Sequence, residues 1–177
     1  AGAKVVEVPL VQSDNSRWVF DPELLRKALS RSKVKIFIFN SPHNPTGKVF
    51  TKEEIGDINI LDDFPHILTI SDEVYNFLTF DGLEHTPFAT VGNNWARTIS
   101  VYSGGKLLSC TGWKVGWSIG PHSLMHLGGI VAHTFFNSFA GSMARATCFN
   151  LDMNMEIHFT PSHRSRKGSQ MPPKQVF

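Results

Sequence analysis

The stretch "HILTISDEVY", His66 to Tyr75, is a short apolar run that stops abruptly at two acids. A run of this length, rich in Ile and Thr, predicts a strand buried in a sheet and ending at Asp72. Similar stretches occur on either side of it. "KVKIFIFN", Lys33 to Asn40, is almost continuously apolar and predicts a strand covered on both faces. "RTISVYS" predicts a third strand ending at Ser103, "WKVGWSIGP" a fourth, and "KVVEVPL", from Lys4 to Leu10, another near the start.

Helix signals lie between them. "DPELLRKALSRS" offers Asp21 as an N-cap and Pro22 at the first helical position, with Leu24, Leu25, Ala28 and Leu29 on one face. "TKEEIGDINILDDF" opens with Thr51 followed three positions later by Glu54, a capping box, although Gly56 weakens the helix. "SPHNPTG" is a loop by its Pro, Asn and Gly content. The pattern from Ser123 to about Met153 suggests helix with a break near Gly141. Strands alternating with helices predict the α/β class. Ligands in such sheets bind outside the carboxyl ends of the strands. Asn44, Asp72, Tyr75, Ser103 and Lys106 are therefore expected on one rim.

The chain has 177 residues, 41% hydrophobic and 18% charged, enough for one domain with a core. Its formal net charge of +2 gives no argument for nucleic acid or an anionic membrane. No apolar run approaches a bilayer span, and no signal-peptide pattern opens the sequence. Two cysteines, Cys110 and Cys148, make no disulfide framework and suit a reducing compartment. Opening at Ala1 directly into strand-like alternation, the chain reads as the interior of a longer protein. Residues 152–177 are basic, rich in Pro and Ser, and aperiodic, and read as a poorly ordered tail after a domain covering 1–151.

"NSPHNPTGKVFTKEE", "ISDEVYNFLTFDG" and "SGGKLLSCTGWKVGW" follow one another with spacings that resemble three signatures of the fold-type I, pyridoxal-phosphate-dependent aminotransferases. The likeness is greatest to the kynurenine aminotransferase and cysteine-conjugate β-lyase group. It implies the large domain of that family, a mostly parallel, seven-stranded-type sheet flanked by helices, truncated at both ends. It also implies pyridoxal 5′-phosphate as cofactor, amino acids and 2-oxo acids as substrates, and a homodimer. A cytoplasmic location is expected, with a mitochondrial one possible.

By this resemblance Lys106 forms the Schiff base with the cofactor aldehyde, and its amine then moves the substrate Cα proton. Gly104 and Gly105 before it would let backbone and cofactor approach. The Gly spacing and the Ser or Thr of a phosphate-binding P-loop are both missing around this lysine. Asp72 would hold the proton on the pyridine nitrogen, which makes the ring an electron sink. As a plain alternative, it caps a helix formed by "EVYNFL". Tyr75 and Asn44 would share the cofactor's phenolic oxygen, Tyr75 sharing a helical face with Asp72. Ser103 and Lys114 would hold the phosphate. Glu73 is expected to be solvated or structural. Trp113 and Trp117 fit a core or an interface better than a cofactor stack.

His122 and His126 have i, i+4 spacing, but no acid or cysteine is placed to complete a metal site, and solvated histidines are expected. Arg164, Arg166 and Lys167 read as a solvated charge run. The sequence contains no match to the family's Gly-containing phosphate loop, its ring-stacking aromatic or its carboxylate-clamping arginine. Two expectations therefore stand: a transaminase, with β-lyase chemistry as a variant, and a truncated remnant that binds cofactor weakly or serves only in an assembly.

Overall fold

A computed structural model describes residues 2–31, 33–113, 115–125 and 145–150. Strands β1 (Val11–Gln12) and β2 (Trp18–Val19) form a short antiparallel pair. Helix α1 (Pro22–Leu29) follows. The Asp21 carboxylate accepts the backbone N–H groups of Glu23 at 2.9 Å and Leu24 at 3.4 Å, and Pro22 costs no helical hydrogen bond in the first turn. Of the predicted apolar face, Leu25 and Leu29 are buried, whereas Leu24 points outward.

Strand β3 (Ile36–Asn40) leads into the loop 41–47 and helix α2 (Lys52–Asp57), which continues as a 3-10 helix over Ile58–Asp63. The capping box forms as predicted: Thr51 Oγ1 accepts from Glu54 N, and Glu54 Oε2 accepts from Thr51 N. Strands β4 (Leu68–Asp72) and β5 (Thr98–Ser103) come next, with 3-10 turns at Phe88–Thr90 and Asn94–Arg97 between them. After β5 stand the four-residue helix α3 (Gly104–Leu107), a 3-10 turn at Thr111–Trp113, and strands β6 (Val115–Gly120) and β7 (Arg145–Asn150).

The main sheet has the order β3-β4-β5-β6-β7. Strands β3, β4 and β5 are mutually parallel, β6 runs antiparallel to β5, and β7 is parallel to β6. The α/β class and the mostly parallel sheet thus agree with the sequence reading. Among the described residues no helix is long and apolar enough to cross a membrane.

Register divides the sheet into two faces. Ile38 pairs with Ile70 and Ile70 with Ile99, while Phe39 pairs with Ser71 and Ser71 with Ser100. Residues in register share a face and their chain neighbours take the opposite one. The face bearing Phe39, Thr69 and Ser71 is covered by Leu25, Leu29, Ile55, Ile58, Leu61 and Phe88, all buried. Phe39 lies 4.8 Å, centroid to centroid, from both Phe50 and Phe88, so one ring joins strand, loop and 3-10 turn.

Three expectations need correction. "KVKIFIFN" is buried on one face only, since Ile36 and Ile38 remain 53% and 69% exposed on the other. Continuous hydrophobicity allows a two-sided strand but does not supply the second layer. "KVVEVPL" is not a strand: Val8 and Leu10 pack on the core, but no ladder forms, and alternation without a partner makes no sheet. Arg145–Asn150 is a strand rather than part of a helix, because a short apolar run containing Thr and Phe satisfies either period and the edge of β6 selects one. A helical turn is present at 122–125, whereas Gly141, Met153 and the tail 152–177 lie outside the described residues.

Candidate active site

Parallel strands end on the same edge, so the residues at and after the carboxyl ends of β3, β4 and β5 share one rim. Asn40, Asp72 and Val101 lie side by side in register, and Ser103 stands two residues beyond Val101 on the same face. This is the face not covered by the phenylalanine core.

The loop carrying Asn44 is held from several sides. Ser41 N donates to Asp72 O at 3.2 Å, Phe50 N to Ser41 Oγ at 3.1 Å, and His43 N to Lys48 O at 2.8 Å. The peptides Ser41–Pro42 and Asn44–Pro45 are cis, and Gly47 adopts φ 71°, a left-handed turn position suited to glycine. Asn40, unremarked in the sequence, is the bridge: its Nδ2 donates to Asp72 O at 2.9 Å, and its Oδ1 accepts Asn44 N at 2.8 Å. Lys48 Nζ meets Glu54 Oε1 at 2.5 Å and ties the far end of the loop to α2. Burial lowers the pKa of His43, whose Nδ1 pairs with Thr46 Oγ1 at 2.8 Å.

So held, Asn44 Nδ2 donates to the Tyr75 hydroxyl at 3.2 Å. Tyr75 sits on consecutive turns rather than a helix, with Asn76 N donating to Glu73 O at 3.1 Å and Leu78 N to Tyr75 O at 2.7 Å. Asp72 starts this turn, its Oδ1 accepting Val74 N at 3.3 Å, and the carboxylate remains half-buried. The helix that Asp72 was to cap is not formed; one of its oxygens serves the turn instead, and its position at the end of β4 puts the residue on the rim face.

Ser103 caps α3, with its Oγ accepting Lys106 N at 3.3 Å. The Lys106 ammonium lies 5.6 Å from the centroid of the Tyr75 ring, within cation–π range. Asn44, Tyr75 and Lys106 thus gather from the loop after β3, the turn after β4 and helix α3. The lysine is exposed, as are Leu107 at 43% and Leu108 at 65%. The Schiff-base role implied by the resemblance calls for a desolvated amine, but α3, which follows the central strand β5, has its outer side left open by the described residues. Gly105 faces the chain's own backbone rather than the rim, since a Cβ there would stand 3.0 Å from Thr111 Cα. Lys114 lies outside the described residues, as do His126, Arg164, Arg166 and Lys167. Among the described residues no group of three or more His, Cys, Asp or Glu is gathered for a metal ion.

Glu73 is structural, in a form its sequence position did not reveal. It points to the core face and is fully buried. Its Oε1 accepts from Ser71 Oγ (2.9 Å), Ser100 Oγ (3.1 Å) and Phe88 N (3.3 Å), and its Oε2 from His85 Nε2 and Tyr102 Oη, both at 2.9 Å. Burial alone would raise its pKa; the bonds from His85, Tyr102 and Ser71 outweigh burial and hold it below 4.5. Burial, followed by the neighbouring Glu73 charge, pushes the Tyr102 hydroxyl far up, so it stays a donor. Trp117 stacks on Tyr102 with centroids 5.7 Å apart, in line with its expected packing role. The available signal was positional: an acid one place past a buried strand must face the core if its neighbour faces the rim.

Comparison with known proteins names the class this rim belongs to. Residues 1–159 match the family "Aminotransferase class I and II", and the chain belongs to that family. Among curated relatives, kynurenine--oxoglutarate transaminase 3 of Mus musculus is 44% identical over 144 residues, covering 77% of this chain and 31% of that protein. Kynurenine--oxoglutarate transaminase of Dictyostelium discoideum is 46% identical over 122 residues, or 68% of this chain and 27% of the relative. The chain therefore spans about a third or less of the length of these relatives. Among solved structures, N-succinyldiaminopimelate aminotransferase of Mycobacterium tuberculosis superposes with a TM-score of 0.70 at 38% identity, over 80% of this chain and 36% of that one. A pyridoxal-phosphate-bound putative aminotransferase of Clostridium difficile 630 gives 0.56 at 27% identity, over 62% and 28%.

Proposed function

We propose that this chain carries the cofactor-binding rim of a pyridoxal 5′-phosphate-dependent transaminase, which moves the amino group of an amino acid to a 2-oxo acid. The observation that supports it most is the meeting of Asn44, Tyr75 and Lys106 above the end of β4, where Asp72 stands. The donor set suits the cofactor's chemistry. A primary amine can hold an aldehyde, a carboxylate can hold a proton on a ring nitrogen, and an amide N–H beside a phenol O–H can share one anionic oxygen.

When bound, the cofactor supplies an electron sink for the carbanion formed at the substrate Cα. The remaining work falls to the chain. The Lys106 amine would hold the aldehyde covalently with loss of water and, once the substrate's own amine had displaced it, would be the base for the substrate Cα proton. Asp72 keeps the ring nitrogen protonated. Asn44 and Tyr75 stabilise the phenolic oxygen as an anion. Ser103, whose Oγ accepts the Lys106 N–H, would donate its hydroxyl to the phosphate together with Lys114.

The relatives act, by name, between kynurenine and oxoglutarate. That pair is the first to test, with cysteine S-conjugates as the probe for β-lyase chemistry. Assembly as a homodimer belongs to the same proposal and is read by light scattering. The test of the rim itself is to mix the chain with pyridoxal 5′-phosphate, reduce with borohydride and locate the pyridoxyl group by mass spectrometry. Modification confined to Lys106 is expected; modification elsewhere, or none, overturns the assignment.

The openness of the rim around Lys106 favours a second reading, a remnant that holds cofactor weakly without turnover. Half-reactions with a panel of amino acids separate the two. A chain whose bound cofactor, left unreduced, is converted to its amine form by none of them is the remnant.

A further inference from the structure

We infer that Glu73 is a positioning residue for the rim on the opposite face of the sheet, its buried carboxylate fixing the spacing between Asp72 and Ser103. This rests on the function proposed above. Hydrogen bonds from Ser71 on β4 and from Ser100 and Tyr102 on β5 converge on the one side chain. A further backbone bond joins Glu73 N to Val101 O at 3.0 Å. Asp72 stands between Ser71 and Glu73, and Ser103 directly follows Tyr102. Both rim residues are thus chain neighbours of residues held from behind.

The choice of a carboxylate is informative. Most of this face is packed with Phe, Ile and Leu, which attract without direction. A buried acid is costly unless every lone pair is met, and a fully met one has a single geometry. Here the donors come from two strands and from the segment 85–88, so β4 and β5 cannot slide or splay at their ends without breaking charge-assisted bonds. His85 donates through Nε2, while its Nδ1 is buried with no hydrogen-bond partner among the described residues. Among the described residues the ring's one hydrogen bond is to the acid. On the rim face a small shift of Ser103 against Asp72 would alter the distance between a phosphate donor and the acceptor for a ring nitrogen.

The experiment uses the full chain with Tyr102→Phe, which keeps the buried charge and removes one bond across the strands, and Glu73→Gln, which removes the charge. Amide hydrogen exchange is followed without cofactor, and pyridoxal 5′-phosphate is then titrated. Protection is expected to fall at residues 72–74 and 101–104 in both variants and to persist in α1. The dissociation constant should rise about tenfold for Tyr102→Phe, the factor expected when only about a tenth of the molecules keep the competent Asp72–Ser103 spacing. The pH midpoint of the bound cofactor's absorbance should also move, a change that mere loss of folded protein would not produce. Unchanged protection at both strand ends, or an unchanged dissociation constant and midpoint in folded variants, overturns the inference. If Glu73→Gln does not fold, Tyr102→Phe and Ser100→Ala decide it. If the parent chain takes no pyridoxal phosphate, the proposed function falls, and the exchange data alone decide whether Glu73 holds the strand ends together.

Discussion

The amide of Asn44 and the hydroxyl of Tyr75 meet at 3.2 Å across 31 positions of sequence, one from the loop after β3 and the other from the turn after β4. Neither residue lies in regular structure. Their meeting depends on Asn40 and Ser41, which fasten the first loop to the end of the second strand.

Tyr75→Phe removes the hydroxyl and keeps the ring beside Lys106. Loss of one hydrogen bond to an anionic oxygen should weaken pyridoxal phosphate binding about tenfold, corresponding to roughly 1.4 kcal/mol. Thermal stability of the cofactor-free chain should change little, because the Tyr75–Asn44 bond lies at the surface. Equilibrium titration with the cofactor, paired with a melting curve, reads both quantities.

Lys106→Ala should abolish the borohydride-stable adduct without lowering stability, since the side chain is exposed and its cation–π contact is weak in water. Mass spectrometry of the reduced protein checks the first outcome and urea unfolding the second.

Glu73 makes stability depend on pH with a definite sign. Its folded-state pKa is depressed below 4.5, against burial, by the bonds from His85, Tyr102 and Ser71. The unfolded chain therefore takes up a proton first as pH falls. The stabilisation is fully present above pH 4.5 and is lost as pH drops through the folded value. Glu73→Gln should cost stability at pH 7, and the cost should shrink as the pH falls below the ordinary carboxylate range, so that the two urea-unfolding curves converge in acid.

Gly105→Ala places a methyl group 3.0 Å from Thr111 Cα and 3.4 Å from the Cys110 carbonyl oxygen. Backbone gives way less readily than a flexible side chain, and overpacking of this kind costs about 1–3 kcal/mol. The urea midpoint should fall. Adduct formation at Lys106 should slow as well, because the same turn carries the amine.

Much of this architecture is written in short stretches. Asp21 before Pro22, Thr51 before Glu54, and the runs ending at Asp72 and Ser103 each specify their element through interactions within a few residues, so reading them in isolation works. The alternation of strands and helices then places Asn44, Asp72, Tyr75, Ser103 and Lys106 at one edge, because parallel strands must end together.

Other features depend on what lies across from a residue. The segment from Lys4 to Leu10 has strand-like alternation and no partner strand among the described residues, whereas Arg145–Asn150 looked helical and found an edge to pair with. Ile36 and Ile38 belong to a mostly apolar run, yet among the described residues only the phenylalanine side of β3 has a layer over it. Glu73 is the clearest case. A carboxylate next to a rim acid looks solvated in sequence, and only the convergence of Ser71, His85, Ser100 and Tyr102 makes its burial tolerable. Local order is set by neighbours a few bonds away and is carried in the sequence itself. Burial and polar satisfaction are set by neighbours tens of residues away, and those contacts exist only once the sheet has formed.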